Sequence, residues 1–169
     1  MESIVRDFIM EHFITHGFFS DQQYGFIKGR STMLQLLKIL DDWTLQLGLG
    51  KQIDAIYTDF ENAFDKVPHH ALISKLRAYG LDDTLIQWLQ DFLCNRIQCV
   101  GINGFFSRWF LVDSGIPQGS ILSPILFLIY INDLPDLCGE DHKIHLYADD
   151  AKLYNTITSK EEGCVSSES

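Results

Sequence analysis

Two adjacent carboxylates, Asp149 and Asp150, stand between two short apolar, aromatic-bearing runs, Ile144-His145-Leu146-Tyr147 and Ala151-Lys152-Leu153-Tyr154. Both runs predict strands, which puts the acids at the tip of a hairpin. Neighbouring like charges repel, and a hard divalent cation such as Mg²⁺ would turn that repulsion into a ligand set. The plain alternative is a solvated Asp-Asp turn, since Asp is a common turn residue. A further acid, Asp59, closes the apolar run Ile53 to Tyr57, so a strand would deliver it beside a turn on a neighbouring strand, although Asp149 lies 90 positions away. Two cations about 3.5–4 Å apart, bridged by carboxylates, are the known device for in-line phosphoryl transfer. The alternative for Asp59 is a cap on the segment that follows it. The loop Gly115-Ile116-Pro117-Gln118-Gly119-Ser120 adds two glycines that let backbone approach a planar ligand, and an amide with both donor and acceptor. Its alternative is a strand-to-helix loop with Ser120 as cap. His142 and His145 are three residues apart, and on a strand they face opposite sides, which argues against a shared metal.

These residues need elements to hold them. Glu2 to His16 carries apolar residues at helical spacing and stops at Gly17. Ser31 or Thr32 caps a second predicted helix running to about Leu47. Ile53 to Phe60 predicts a buried strand. Pro68 opens a helix over His69 to Tyr79, and Asp82 or Asp83 caps another to about Cys94. Gln98 to Val112 predicts a hairpin turning at Asn103-Gly104. Ser120 to Leu134 predicts a helix with Pro124 in its first turn. Strands separated by helix pairs, together with hairpins, give an α+β fold with an antiparallel sheet packed on helices.

The chain has 169 residues, of which 46% are hydrophobic and 21% charged, enough to build a core. Its longest apolar stretch, Ile121 to Ile131, is too short to span a bilayer. Four cysteines, Cys94, Cys99, Cys138 and Cys164, lack paired metal spacing and fit reduced thiols of an intracellular protein. The formal net charge is −10, and residues 111–169 carry 10 acidic against 3 basic side chains. Nucleic-acid binders ordinarily show a basic face, so a nucleic-acid role requires that face to come from elsewhere in a larger molecule.

Taken together, TDFENAFDKVPHHALISKLRAYGL, SGIPQGSILSPILFLIYINDLP and YADDAKLY resemble motifs A, B and C of reverse transcriptases, those of non-LTR (LINE-type) retrotransposons above all. QYGFIKGRSTMLQLL is similar to the segment that joins fingers to palm in that family. The resemblance covers about residues 1–158, and it implies a polymerase-type palm over 51–158 with a fingers remnant over 1–50, followed by a disordered tail over 159–169. It implies an RNA-directed DNA polymerase that adds dNTPs to a primer 3′ end with two Mg²⁺ or Mn²⁺ ions. Asp59 and Asp149 would be the catalytic carboxylates, Asp150 the third acid, and the Phe60 backbone a further metal contact. The backbone of Phe60, Glu61, Asn62 and Ala63 would hold the triphosphate. Phe64 would be the steric gate against a 2′-hydroxyl, and Gln118 and Gly119 would contact the nucleotide and template. Arg30 would touch template phosphate, unless it is a plain surface arginine. Partners would be an RNA or DNA template with primer, plus the N-terminal fingers and the thumb of a parent protein that works in nucleus and cytoplasm without a membrane. The alternative is a non-catalytic, truncated retroelement remnant.

Overall fold

A computed structural model describes residues 1–139 and 142–157; the expected tail lies outside the described residues. The elements follow in order as α1 (Glu2–Thr15), α2 (Thr32–Gly48), β1 (Gln52–Asp59), α3 (His69–Ala78), α4 (Asp83–Leu93), β2 (Arg96–Gln98), β3 (Gly101–Ile102), β4 (Phe105–Phe106), β5 (Phe110–Val112), α5 (Ser123–Ile131), β6 (Lys143–Tyr147) and β7 (Asp150–Ile157). A 3₁₀ turn, Leu134–Leu137, follows α5. The described residues group into two compact units, one of Met1–Phe19 with Asn62–Ile131, the other of Ser20–Glu61 with the described residues from Asn132 onward. No helix among the described residues is long and apolar enough to cross a membrane.

The first unit is built on helices. In α1, Val5, Ile9 and Phe13 recur every fourth residue and are buried, the stripe that a 3.6-residue period lays along one face. Phe13 meets the rings of Phe18, Phe19 and Tyr79 at centroid distances of 5.6, 5.1 and 4.7 Å. Leu72 and Leu76 of α3, Ile86, Leu89 and Leu93 of α4, and Leu126 of α5 are almost wholly buried. The Asp82 carboxylate caps α4 by accepting from the Thr84 N–H at 2.9 Å. Helix α5 is shorter than its apolar pattern predicts. Its start is shaped by side chains: Ser120 Oγ donates to Glu2 Oε2 at 2.7 Å, and the Ile121 N–H donates to the same oxygen at 3.0 Å. The predicted hairpin is present but divided. Asn103 and Gly104 both have positive φ, 51° and 83°, as a type I′ turn requires, and they join β3 to β4. The outer rungs β2–β5 are out of step with the inner ones by one residue, because Arg108 and Trp109 together oppose Cys99, a bulge that bends the ribbon.

The second unit holds a three-stranded antiparallel sheet in the order β1-β7-β6. Strand β1 is a correction to the sequence reading. It was expected to be buried, yet Ile56 and Tyr57 are 52% and 66% exposed. It lies at the sheet edge and pairs on one side only, so its apolar run reflects β propensity without burial. The Ser31 side chain caps α2 by accepting from the Leu34 N–H. Its Gln35 and Ile39 are buried, and Trp43 meets the Tyr154 ring edge-on at 5.6 Å.

A polar cluster lies beneath the β6–β7 ladder. The Lys143 ammonium meets the Asp42 carboxylate at 2.6 Å. His145 stacks on Tyr154 with ring centroids 5.7 Å apart and planes 7° from parallel, and its Nε2 lies 3.3 Å from the Tyr154 hydroxyl. Burial, then the Lys38 charge, pulls the imidazole down to about 4, against an opposing pull from Asp42. Burial and the bond to Asp42 hold the Tyr154 phenol well above its ordinary range. A histidine whose folded value lies below its unfolded one binds fewer protons when folded, so its contribution is complete above about pH 6.5 and is lost as pH falls towards 4. Urea denaturation followed between pH 7 and 4.5 should show a fall in stability of at most about 3 kcal/mol from this group. His145→Phe keeps the stack and cannot titrate, so it should flatten that slope; an unchanged slope would show that His145 does not set it.

Candidate active site

Antiparallel pairing of β1 with β7 runs from Gln52↔Ile157 to Asp59↔Asp150, so the last rung of the ladder is a pair of aspartates. Directly opposite residues share a face, with Cβ atoms about 4.5–5.5 Å apart. Asp149 is next in the chain, in the turn between β6 and β7. The pairing Tyr147↔Asp150 leaves Ala148 and Asp149 as a two-residue loop. Ala148 has φ 53°, whereas Asp149 stays at negative φ; positive φ at the first loop residue alone matches a type II′ turn. The second unit therefore brings Asp59, Asp149 and Asp150 to one end of its sheet, with Phe60 and Glu61 leaving the same strand end, all exposed except the half-buried Asp149.

Hard carboxylate oxygens are the donors that Mg²⁺ or Mn²⁺ takes, so the donor set suits a divalent cation. Among the described residues, no three His, Cys, Asp or Glu side chains converge in a metal-binding group. The backbone register brings the acids to one strand end, while their side chains do not meet at a common point. Like charges directly opposite on a sheet are destabilising, so this end of the ladder carries a stability cost.

Of the other expected residues, Asn62, Ala63, Phe64, Gln118 and Gly119 lie in the first unit. The chain from Asn62 to Lys66 forms a turn in which the N–H groups of Asp65 and Lys66 both donate to the Asn62 carbonyl at 3.0 Å. Asn62 has φ 54°, a conformation that asparagine adopts more readily than most residues. Phe64 is half-buried and stacks on Phe127 of α5 with centroids 4.3 Å apart. The glycine loop is laced onto this turn. The Gly115 N–H donates to Val67 O and the Ile116 N–H to Phe64 O, both at 2.9 Å, and Ser114 Oγ donates to Asp65 O at 2.8 Å. Gln118 Nε2 donates to both Asp65 oxygens at 3.0 and 3.2 Å, which leaves its carbonyl oxygen for another donor. Asp65 thus reaches a partner 53 positions along the chain.

Arg30 belongs to the second unit, and its guanidinium is engaged internally. Nη1 donates to the carbonyls of Ser20 and Gln23, and Nη2 meets Asp21 at 3.2 Å. These bonds tie down a loop, a role that neither the template contact nor the plain surface arginine foresaw. Sequence reasoning missed Gln23. Its side chain is buried and accepts from the Ala148 N–H at 3.0 Å, so a residue of the joining segment touches the turn that carries Asp149. The string QYGF held the residue but no periodicity that would reveal the contact.

Comparison with known proteins fits this arrangement. Residues 1–167 match the family model described as reverse transcriptase (RNA-dependent DNA polymerase). The chain is 31% identical over 121 residues to a probable RNA-directed DNA polymerase from transposon BS of Drosophila melanogaster, a match covering 68% of this chain and 13% of that protein. It is 30% identical over 142 residues to the RNA-directed DNA polymerase from mobile element jockey of Drosophila funebris, covering 80% and 15%. The chain thus spans about a seventh of these relatives' length. In fold it is similar to apo telomerase from Candida tropicalis, with a TM-score of 0.69, 16% identity and coverage of 94% of this chain and 34% of that one.

The geometry separates the two glycines of the loop. A Cβ on Gly115 would lie 2.6 Å from Asp65 O at a backbone φ of 84°, whereas one on Gly119 would meet nothing within 4 Å at the same φ. Gly119→Ala should therefore cost about 1–2 kcal/mol of unfolding free energy from conformation alone, and Gly115→Ala clearly more, as measured by urea denaturation; equal losses would refute the close approach. Asp59→Asn should raise the metal-free thermal midpoint at low salt by removing repulsion at the last rung, and added salt should shrink the gain. A lowered midpoint would show that the Asp59 charge is compensated. By its family model and its sequence relatives, the chain belongs to the reverse transcriptases, with the non-LTR retrotransposon enzymes among its relatives.

Proposed function

We propose that this chain is the catalytic core of an RNA-directed DNA polymerase from a non-LTR retroelement, which adds deoxynucleotides to a primer 3′ end on a nucleic-acid template. The observation that carries the proposal is the β1–β7 register, which sets Asp59 opposite Asp150 beside Asp149. Family membership gives that acidic end a reaction to serve. Reverse transcriptases generally use divalent ions, and the proposal assigns two Mg²⁺ or Mn²⁺ to Asp59 and Asp149, with Asp150 and the Phe60 carbonyl in support. When bound, such ions lower the pKa of an attacking hydroxyl and neutralise developing phosphate charge.

The remaining roles belong to the chain itself. Backbone groups from Phe60 to Ala63 face the triphosphate in this proposal. Phe64, held against Phe127, has the rigid bulk a steric gate needs to reject a 2′-hydroxyl. Gln118 has its amide nitrogen on Asp65, which leaves Oε1 to accept from a base or sugar hydroxyl, and Gly119 keeps that approach open. The chain's net charge of −10 disfavours unaided grip on a polyanion. Template binding is accordingly assigned to the parent protein, and this chain alone should extend primers poorly or not at all.

Primer extension on a homopolymer RNA template tests the proposal in a protein that carries this segment within its parent sequence. Asp149→Asn should reduce synthesis by at least about a hundredfold, in the range expected when charge stabilisation at the reacting centre is removed. Retained synthesis would refute the metal assignment. Phe64→Ala should admit ribonucleotides while deoxynucleotide addition persists, and unchanged sugar selectivity would refute the gate.

A further inference from the structure

The turn that carries Asp149 has two unusual features. Ala148 sits at φ 53°, a left-handed conformation that costs an L-residue with a Cβ roughly 1–2 kcal/mol. Its position is also 5% exposed, so its N–H needs a partner inside the protein. That partner is Gln23, whose Oε1 accepts from the Ala148 N–H at 3.0 Å and from the Gly25 N–H at 2.7 Å. Gln23 is 2% exposed. Its Nε2 is buried with no hydrogen-bond partner among the described residues, an arrangement that costs stability. The amide is thus used for its acceptor, which is aimed at two backbone N–H groups, one of them in the turn.

The support behind Gln23 is equally specific. The Tyr24 N–H donates to Leu146 O and the Leu146 N–H to Gln22 O, both at 2.8 Å, and Gln23 bridges Leu146 in parallel. The segment therefore runs along the free edge of β6 and stops at the turn. The Arg30 guanidinium holds the Gln23 carbonyl at 2.6 Å. Gly25 closes against the turn so tightly that a Cβ there would lie 2.5 Å from the Ala148 nitrogen.

We infer that Gln23 is a positioning residue for the acidic turn: its side-chain oxygen holds Ala148 in its left-handed conformation and so fixes the direction in which Asp149 leaves the backbone. Arg30 and Gly25 keep that oxygen in place. The role rests on the metal reading only where it concerns cation binding; the effect on the turn stands independently.

The experiment uses the 169-residue chain, with Mn²⁺ as probe, well below the thermal midpoint of each variant. Gln23→Met keeps length and removes the acceptor. It should speed amide exchange at Ala148 by at least about tenfold, the weight of one hydrogen bond, and weaken Mn²⁺ binding about tenfold. Adding Ala148→Gly, which takes positive φ without steric cost, should recover most of the binding although the acceptor is still missing. A merely structural Gln23 would change the midpoint without that rescue. Unchanged Ala148 exchange and Mn²⁺ affinity in Gln23→Met would overturn the proposal, as would a double variant that recovers no binding. Should Gln23→Met fail to fold, Gly25→Ala displaces the turn with Gln23 intact and must produce the same weakening, or the proposal fails. Asp149→Asn serves as a control: if it binds Mn²⁺ as the parent chain does, the metal assignment falls, and Ala148 exchange alone then decides the role of Gln23.

Discussion

The candidate site depends on one backbone ladder. Side chains 90 positions apart in sequence share a strand end because eight consecutive rungs join β1 to β7, and the last rung is Asp59↔Asp150. A slip of one residue would turn the β1 side chains to the other face and part the two acids. Register is usually protected by a buried apolar face, yet most of β1 is exposed. Much of the specification must come from β7, where Ala151, Tyr154 and Ile157 are buried, and from the two-residue turn that fixes β7 against β6. The strand that bears Asp59 is thus aligned by a neighbour whose own alignment is set by the turn bearing Asp149.

That dependence makes the turn the most constrained part of the second unit. A two-residue loop of type II′ matches the right-handed twist of its strands, and glycine is the usual first residue. Alanine in that place lacks glycine's freedom and leaves the conformation to be held from outside, which is what the Gln23 oxygen and the close approach of Gly25 do. Strain of this kind persists only where surrounding structure over-determines it, and it gathers at functional sites. Repulsion at the Asp59↔Asp150 rung is a second local cost of the same type. Both are intelligible if the end of the sheet is shaped for a charged ligand and less so if it were only a place where the chain reverses.

The sequence made much of this legible because the signals are local. Helical spacing, a serine cap at Ser31, Asp82 before α4 and the Asn103-Gly104 turn are short-range rules, and the structure obeys each of them. The motifs named the acids and their order. The errors lie where tertiary context decides. Strand β1 has the composition of a buried strand but occupies an edge, and composition carries no information about neighbours. Helix α5 starts at Ser123 rather than Ser120, and the donors of Ser120 and Ile121 go to Glu2, far away in sequence. The pairing of Gln118 with Asp65 and the clamp by Gln23 are side-chain bonds over 53 and 125 positions, and no periodicity encodes either.

Those two long-range bonds share a logic that bears on how such a chain can work. Each uses a side-chain amide to fix a loop, and each leaves a charged or polar group free of that bond: Gln118 keeps its oxygen, and Gln23 bonds the Ala148 backbone rather than the Asp149 carboxylate. Holding acids through the backbone has an energetic reason. A cation or arginine bonded directly to Asp149 would relieve repulsion but would also compete with an incoming metal for the same oxygens. Neutral amide clamps give geometry without neutralising charge. The structure accordingly leaves the repulsion at its acidic end uncompensated by these clamps and keeps the turn conformation by hydrogen bonds to peptide groups, an arrangement that suits the cation binding proposed above.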